Sequence, residues 1–226
     1  MGILRSALLL AFAATSILAS EPPDGWELID DDEGVVVYKK EVSGSPVVAF
    51  RGVAELDATP EKVLGVLVDN DHRTEWVDLC SESRVLESAG EWEQVIYQRY
   101  TLPWYLSDRD YVYRARAVRN PDGSVELLLA SCEHRDAPET VGVRARLIES
   151  RYVLTPLEGG KRCRLAVEIH TDPMGMVPKW LVNLVQEEWP QKTLNGVRKQ
   201  LQRPHVVARA LPPLEAARAV PAGARR

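Results

Sequence analysis

Polar side chains with potential for chemistry stand in two short groups. Arg73 lies close to Glu75 and Asp78, and the run Asp108-Arg109-Asp110 follows later in the chain. An arginine can hold an anion through its forked donors. It can equally form an ion pair with a nearby carboxylate, and we favour that structural role for both groups.

The cysteines and histidines do not form a pattern typical of a catalytic or metal site. Cys80, Cys132 and Cys163 include no CxxC pair and have no histidine at a spacing that suits zinc. At most one disulfide can form among them, and we interpret them as small apolar fillers. No Ser-His-Asp order and no phosphate-binding loop occurs. The sequence therefore predicts no catalytic residue, no metal and no cofactor.

Length and charge narrow the class of protein. The 226 residues suffice for one domain with a real core, and 45% hydrophobic with 27% charged residues is a globular composition. The net charge of -5 argues against a nucleic-acid-binding protein, which needs cationic surface. It also provides no attraction to anionic membranes, so any membrane contact would have to be apolar and local.

The N-terminus has the features of an export signal. Arg5 precedes an apolar run over 7–19, and the small residues Ala19 and Ser20 suit cleavage. The run is too short to span a bilayer as a helix. We expect a signal peptide over 1–20 and an exported, periplasmic or secreted, protein.

Patterning after residue 21 predicts strands, one helix, more strands and a long final helix. The β-rich segments 35–40 and 47–53 form a hairpin pattern, and Thr59 with Pro60 marks the start of a helix. Turn signals between 84 and 170 predict an antiparallel meander. Within 110–118, Tyr111 and Tyr113 share the inner face of a strand whose other face is wet.

The last apolar helix begins at Pro178 and should kink or divide at Pro190. A sheet of about eight strands must bury one face, and this helix is its chief available cover. We therefore expect an α+β fold in which a curved antiparallel sheet wraps a long C-terminal helix and leaves room for a cavity. The segment 204–226 lacks a periodic apolar face and is predicted to be a disordered tail.

Four segments in this order resemble landmarks of StAR-related lipid-transfer (START) domains. They comprise Trp26 with 34–38, then 69–76, 106–113 and 172–183. The resemblance covers roughly residues 24 to 202, within the predicted 21–203 domain. It implies a helix-grip fold with an internal tunnel for one lipid, gated by the C-terminal helix and nearby loops, without cofactor or metal.

Two departures from the family pattern bear on the ligand. Phosphatidylcholine-binding members resemble the chain at Arg73 and Trp76 but carry an aspartate directly after the tryptophan, where this chain has Val77 and then Asp78. Sterol-binding members keep a buried acid and base. The predicted inner face around Tyr113 carries no arginine.

Candidate ligand-binding residues lie in the segments that resemble the family, on the predicted strands, in the apolar loop after Pro103 and at the gate. They are Arg73, Trp76, Tyr97, Trp104, Tyr111, Tyr113, Met174, Met176, Trp180, Leu184 and Val185. Trp104 in particular could form a lid or touch a membrane. Flexible methionines suit adaptable apolar contacts.

The sequence thus predicts a monomeric, non-enzymatic carrier that binds a sterol, phospholipid or similar lipid, transfers it between membranes or carriers, and contacts membranes transiently. Two alternatives stay open. Cyclase-like enzymes share the grip architecture, and a lipid-sensing module could act on a protein partner.

Overall fold

A computed structural model of the chain describes residues 22–177, 182 and 186–212. The predicted signal peptide lies outside this range. The strands are β1 (Glu27–Asp32), β2 (Val35–Lys40), β3 (Ala49–Leu56), β4 (Cys80–Ser88), β5 (Glu93–Tyr100), β6 (Arg109–Arg119), β7 (Val125–Ser131), β8 (Val143–Arg144), β9 (Arg146–Leu157) and β10 (Arg162–Asp172). The helices are α1 (Pro60–Val68) and α2 (Trp189–Gln200), with 3-10 turns at Arg73–Glu75 and Glu158–Gly160.

All ten strands belong to one sheet. Its order is β1-β2-β3-β10-β9-β7-β6-β5-β4, and every neighbouring pair on this path is antiparallel. The short β8 pairs with β6 in parallel. Strands β4 to β7 form the predicted meander, and the hairpin of β2 and β3 is also confirmed.

The start of α1 follows from its first residues. The side chain of Thr59 accepts a hydrogen bond from the amide of Lys62, and Pro60 occupies the first turn, where a missing amide hydrogen costs nothing. The apolar residues of α1 then face the core, where Val63, Leu64 and Leu67 are fully buried. This helix was predicted correctly.

Helix α2 covers the inner face of the curved sheet and makes its closest approach at Gly52 of β3. A β-carbon on Gly52 of β3 would lie 2.6 Å from Cβ of Pro190 and 3.0 Å from Cδ1 of Leu194. Only glycine therefore allows α2 to approach β3 so closely. Pro190 lies in the first turn of α2. The predicted start of the last helix at Pro178 lies outside the described residues. The predicted helix-grip architecture is confirmed.

The segment 203–212 corrects one prediction. The predicted disordered tail, 204–226, begins within this segment, but residues up to 212 lie against α1. The amide of Arg209 donates to the carbonyl of Glu61 at 2.8 Å, and Leu211 is buried. The backbone of Val207 passes so close to Gly65 that a β-carbon there would lie 2.0 Å from its carbonyl oxygen. We call 203–212 the covering segment.

The main core lies between the inner face of the sheet, α1 and α2. On β6 the alternation is as predicted, because Tyr113, Ala115 and Ala117 are buried while Arg114 and Arg116 are exposed. A second, small cluster of Val95, Tyr97 and Val112 lies on the opposite face of the sheet. Among the described residues, no helix is long and apolar enough to cross a membrane.

Candidate functional site

A cavity of about 190 Å³ lies between the inner face of the sheet and α2. Its walls come from β5, β6, β7, β9 and β10, from the turn at Arg73–Glu75 and from α2. Apolar side chains predominate in the wall, including Leu129, Leu147 and Ile169. The site is therefore suited to an apolar molecule with few polar groups.

Four tyrosines supply most of the aromatic wall: Tyr100, Tyr111, Tyr113 and Tyr152. Burial raises the pKa of each of these phenols, because the phenolate would lose its hydration. They remain neutral at physiological pH and act as hydrogen-bonding groups rather than bases. The placement of Tyr111 and Tyr113 on the inner face agrees with the sequence prediction.

Arg73 lines the cavity and is only 5% exposed. Its Nη2 donates to the carbonyl of Leu67 at 2.6 Å and to Oδ1 of Asn70 at 3.3 Å. No carboxylate among the described residues pairs with it, so the expected ion pair is wrong. Leu67 lies in the last turn of α1, where the helix dipole is negative, and the ring of Trp76 lies 5.2 Å from the guanidinium. The helix end and the indole compensate the charge.

Arg109 is a second buried guanidinium in the wall, 6% exposed. Its Nε donates to the carbonyl of Pro173 at 2.8 Å, and its Nη atoms bond the carbonyls of Ser107 and Met174. Arg109 thus joins the loop before β6 to the loop after β10. The prediction that this inner face carries no arginine is wrong, because Arg109 has the same strand parity as Tyr111.

The acids on either side of Arg109 have structural roles, as predicted. Asp108 accepts from Nη2 of Arg99 at 2.6 Å and from the amide of Leu102 at 3.1 Å. The bond from Arg99 holds the pKa of Asp108 below its usual value. Asp110 accepts from Nε of Arg144 at 2.5 Å on the outer side. Asp108 thereby fixes both ends of the loop 101–108.

Three loop segments, 77–79, 101–108 and 173–177, form the exposed rim of the cavity, and we call them the mouth. Val77 and Asp78 both lie in the wall, and Asp78 pairs with Nζ of Lys192 on α2 at 3.1 Å. This ion pair joins α2 to the mouth. Because it is partly exposed, it contributes little stability and can open at low cost.

Trp104, Met174 and Met176 project from the mouth instead of lining the cavity. Trp104 is 94% exposed, and its ring lies edge-on to that of Tyr105, with 5.7 Å between the ring centroids. Met176 is fully exposed and Met174 is exposed. These three candidates do not line the cavity, where their neighbours Leu102, Leu106, Pro173 and Val177 lie. Ligand or membrane contact through them stays a prediction.

Two further candidates do not reach the cavity. Tyr97 faces the other side of the sheet, because Gln98 and Tyr100 occupy the inward positions of β5. Trp76 is buried behind Arg73 and supports its guanidinium without touching the open space. Trp180, Leu184 and Val185 lie outside the described residues.

Sequence reasoning missed several polar members of the wall: Gln98, Ser150, Thr171, Gln186 and Thr193. Most of them already have protein partners. Ser150 donates to the carbonyl of Glu168 at 2.6 Å, and Gln186 donates to that of Thr171 at 3.2 Å. Strand alternation from Tyr111 could have found Arg109, and the same rule applied to β5 would have found Gln98.

Within the described part of the chain, no histidine or cysteine lines the cavity. Cys80 and Cys163 are buried free thiols, and burial raises the pKa of Cys80 to about 11. A thiol with such a pKa stays protonated and is a poor nucleophile. The wall offers hydrogen bonds, two fixed cations and apolar surface.

A curved antiparallel sheet closed by a helix over an apolar cavity defines a helix-grip protein that binds small apolar molecules. The model of the START domain family matches residues 14–205. The chain therefore belongs to the START domain family.

Individual relatives agree with this family assignment. The chain is 29% identical over 203 residues to an uncharacterized protein of Pseudomonas aeruginosa, covering 89% of this chain and 98% of that protein. It is 30% identical over 178 residues to the phosphatidylcholine transfer protein of Bos taurus, covering 76% of this chain and 78% of that protein. The crystal structure of a STAR-related lipid transfer protein from Xanthomonas axonopodis is 31% identical with a TM-score of 0.70, covering 80% of this chain and 100% of that chain.

Proposed function

We propose that this protein binds a single lipid in the cavity and transfers it between membranes or carriers, without converting it chemically. The observation that carries the proposal is the enclosed wall of neutral tyrosines and aliphatic side chains under α2. Apolar burial favours such a ligand by about 0.8 kcal/mol per CH₂ group. Two relatives whose names include lipid transfer or phosphatidylcholine transfer support the same function.

The size of the cavity implies that loading widens it. A cavity of about 190 Å³ is smaller than typical ligand sites, which measure roughly 300–1,000 Å³. A lipid with long chains would therefore have to displace part of the wall or project through the mouth. The mouth loops are the segments best able to move, because they are exposed. The ion pair between Asp78 and Lys192, which joins them to α2, is itself partly exposed.

The polar groups of the wall bear on which lipid headgroup the cavity accepts. This chain has Val77 where the phosphatidylcholine-binding pattern has an aspartate, and Asp78 is paired with Lys192. A choline headgroup would have no free carboxylate in the described wall. We therefore propose a lipid whose polar part needs hydrogen-bond donors, such as a hydroxyl or a phosphate.

Membrane contact and export complete the proposal. The exposed Trp104, Tyr105 and Met176 surround the mouth and would enter a bilayer surface during exchange, since exposed aromatic side chains favour the membrane interface. The apolar run over 7–19 after Arg5 supports export to the periplasm or beyond. A monomer suffices, because one chain supplies the wall of the cavity.

A vesicle transfer assay tests this function. Donor vesicles containing a labelled sterol or phospholipid are mixed with acceptor vesicles, and the protein is added in catalytic amounts. Faster transfer with unchanged lipid is the expected result. A chemically altered lipid would favour a cyclase-like enzyme, and tight binding without transfer would favour a sensor. Failure to bind any lipid would overturn the proposal.

A further inference from the structure

Two histidines from distant parts of the chain meet outside the cavity wall. His72 precedes the turn at Arg73–Glu75, and His205 lies in the covering segment. Their rings are stacked, with centroids 3.8 Å apart and planes 12° apart. The lipid-carrier function uses neither imidazole, so this arrangement needs its own explanation.

A carboxylate completes the cluster. Oδ2 of Asp69 lies 2.8 Å from Nδ1 of His72. Oδ1 of the same residue accepts from the amides of Asp71 at 3.1 Å and His72 at 3.3 Å. The backbone of the loop after α1 thereby fixes the carboxylate before any ligand arrives.

The donor atoms are close enough to converge on one ion. One ligand atom from each of Asp69, His72 and His205 lies within 4.8 Å of the other two. Oε2 of Glu75 is 4.0 Å from Nε2 of His205 and could supply a fourth ligand. The side-chain amide of Gln200 contacts both atoms, at 3.3 and 2.9 Å, and an ion would displace it. The side chains of His72, Asp69 and His205 are 36%, 27% and 29% exposed, so an ion can reach them and they can turn.

We propose that Asp69, His72 and His205 bind one divalent transition-metal ion, of which Zn²⁺ is the representative. Two imidazoles and a carboxylate suit zinc, whereas magnesium and calcium prefer oxygen ligands alone. Zinc bonds of about 2.0–2.2 Å require the ligand atoms to close to within roughly 3–4 Å of one another. A metal bonds in the plane of each ring, so at least one imidazole turns and the stack opens.

Metal binding would attach the covering segment to the loop that follows α1. His205 belongs to the segment that lies along α1, whereas Asp69 and His72 follow the end of α1. One ion would therefore join two parts of the chain that are distant in sequence. Binding to the folded state alone stabilises that state by mass action.

Isothermal titration of the full chain with Zn²⁺, after EDTA treatment and without a histidine tag, tests the site. We expect one ion per chain, and at least tenfold weaker binding in His72→Gln and in His205→Gln. His134→Gln is the matched control, because His134 pairs with Glu87 elsewhere, and it should bind like the unchanged protein. The proposal would be overturned if both site variants bound Zn²⁺ as tightly as the unchanged protein, or if the unchanged protein bound none at about 1 mM Zn²⁺.

Thermal unfolding provides a readout that also checks folding. At free Zn²⁺ a hundredfold above the dissociation constant, the Tm should rise by about 5–10 °C in the unchanged protein and in the control. The two site variants should show no such rise. Asp69→Asn keeps an oxygen for the two amides and should weaken zinc binding while preserving the metal-free Tm. A Zn²⁺-induced rise that persists in all three variants would contradict the site.

Discussion

The deep wall of the cavity and its mouth are built on opposite principles. In the deep wall, Arg73 and Ser150 are tied to backbone carbonyls, and Tyr113 is buried beside them. At the mouth, Trp104 and Met176 lie in solvent with almost no protein contact. One region holds its polar side chains mainly through bonds to the protein, although Nε of Arg73 and Oε1 of Gln186 are buried without a partner. The other exposes apolar surface that water disfavours.

This difference separates holding a ligand from exchanging it. A preformed wall costs little to organise when a ligand enters, so it determines affinity. An exposed apolar rim contributes nothing to affinity in solution, but it can reach a membrane and so determines the rate of exchange. Substitutions in the two regions should therefore affect different measurements.

Filling the deep wall should have the largest effect. Leu129→Trp places an indole in the cavity, and lipid binding should weaken roughly tenfold or more, which corresponds to about 1.4 kcal/mol. Lipid retained after gel filtration, quantified by mass spectrometry, measures this. Leu128→Trp is the matched control, because Leu128 is exposed on the other face of β7. Equal loss in both variants would show that the cavity is not the binding site.

The second largest effect is expected at Arg109, which joins the deep wall to the mouth. Arg109→Gln leaves the carbonyls of Ser107 and Pro173 without their donor, so urea unfolding should show a loss of about 2 kcal/mol. Lipid should also dissociate faster, because two mouth loops are released. Arg116→Gln on the exposed face of β6 should stay within about 0.5 kcal/mol of the unchanged protein. If Arg109→Gln changed neither the unfolding free energy nor the rate of lipid dissociation, Arg109 would not link the two regions.

Removing the rim indole should change transfer alone. Trp104→Ser should slow vesicle-to-vesicle transfer roughly fivefold, equivalent to about 1 kcal/mol of lost membrane contact, with lipid binding and Tm unchanged. Val207→Ser removes an exposed apolar side chain outside the mouth and serves as the control. Transfer at the original rate in Trp104→Ser would exclude the rim as the membrane contact.

The smallest expected effect is on the unfolding free energy at alkaline pH, through the buried phenol of Tyr113. Burial raises the pKa of Tyr113, whereas in the unfolded chain a tyrosine titrates near pH 10. The folded state keeps this proton longer, so its contribution is full below about pH 10 and is lost as the pH rises further. Tyr113→Phe should flatten the fall in unfolding free energy between about pH 10 and 12, measured with urea, and the exposed Tyr105→Phe should not. An unchanged slope in Tyr113→Phe would indicate a solvated phenol.

Local patterns in the sequence were sufficient for most of the fold. The cap at Thr59, the proline turn before β7 and the alternation along β6 are short-range signals whose structural meaning does not depend on distant residues. The covering segment was missed for the converse reason. Its residues have no periodic apolar face, and they are ordered by the close approach of Val207 to Gly65, which no local pattern reveals.

The candidate site was predicted less well than the fold. Tyr111 and Tyr113 were found by alternation. Tyr97 was named as a candidate without applying the same rule to β5, where it lies on the face away from the cavity. Arg73 was named as a ligand-binding candidate and lies in the wall, but the favoured ion pair is wrong. Its actual partner, the carbonyl end of α1, is visible only in three dimensions. Exposed loop residues such as Met176 cannot be separated from lining ones by residue type.

Native mass spectrometry of the protein purified from its own host tests the central claim most directly. The account predicts one lipid-sized mass per chain in the unchanged protein, a reduced fraction in Leu129→Trp, and the full fraction in Leu128→Trp. A bare chain that stays without added mass after incubation with vesicles would contradict the account.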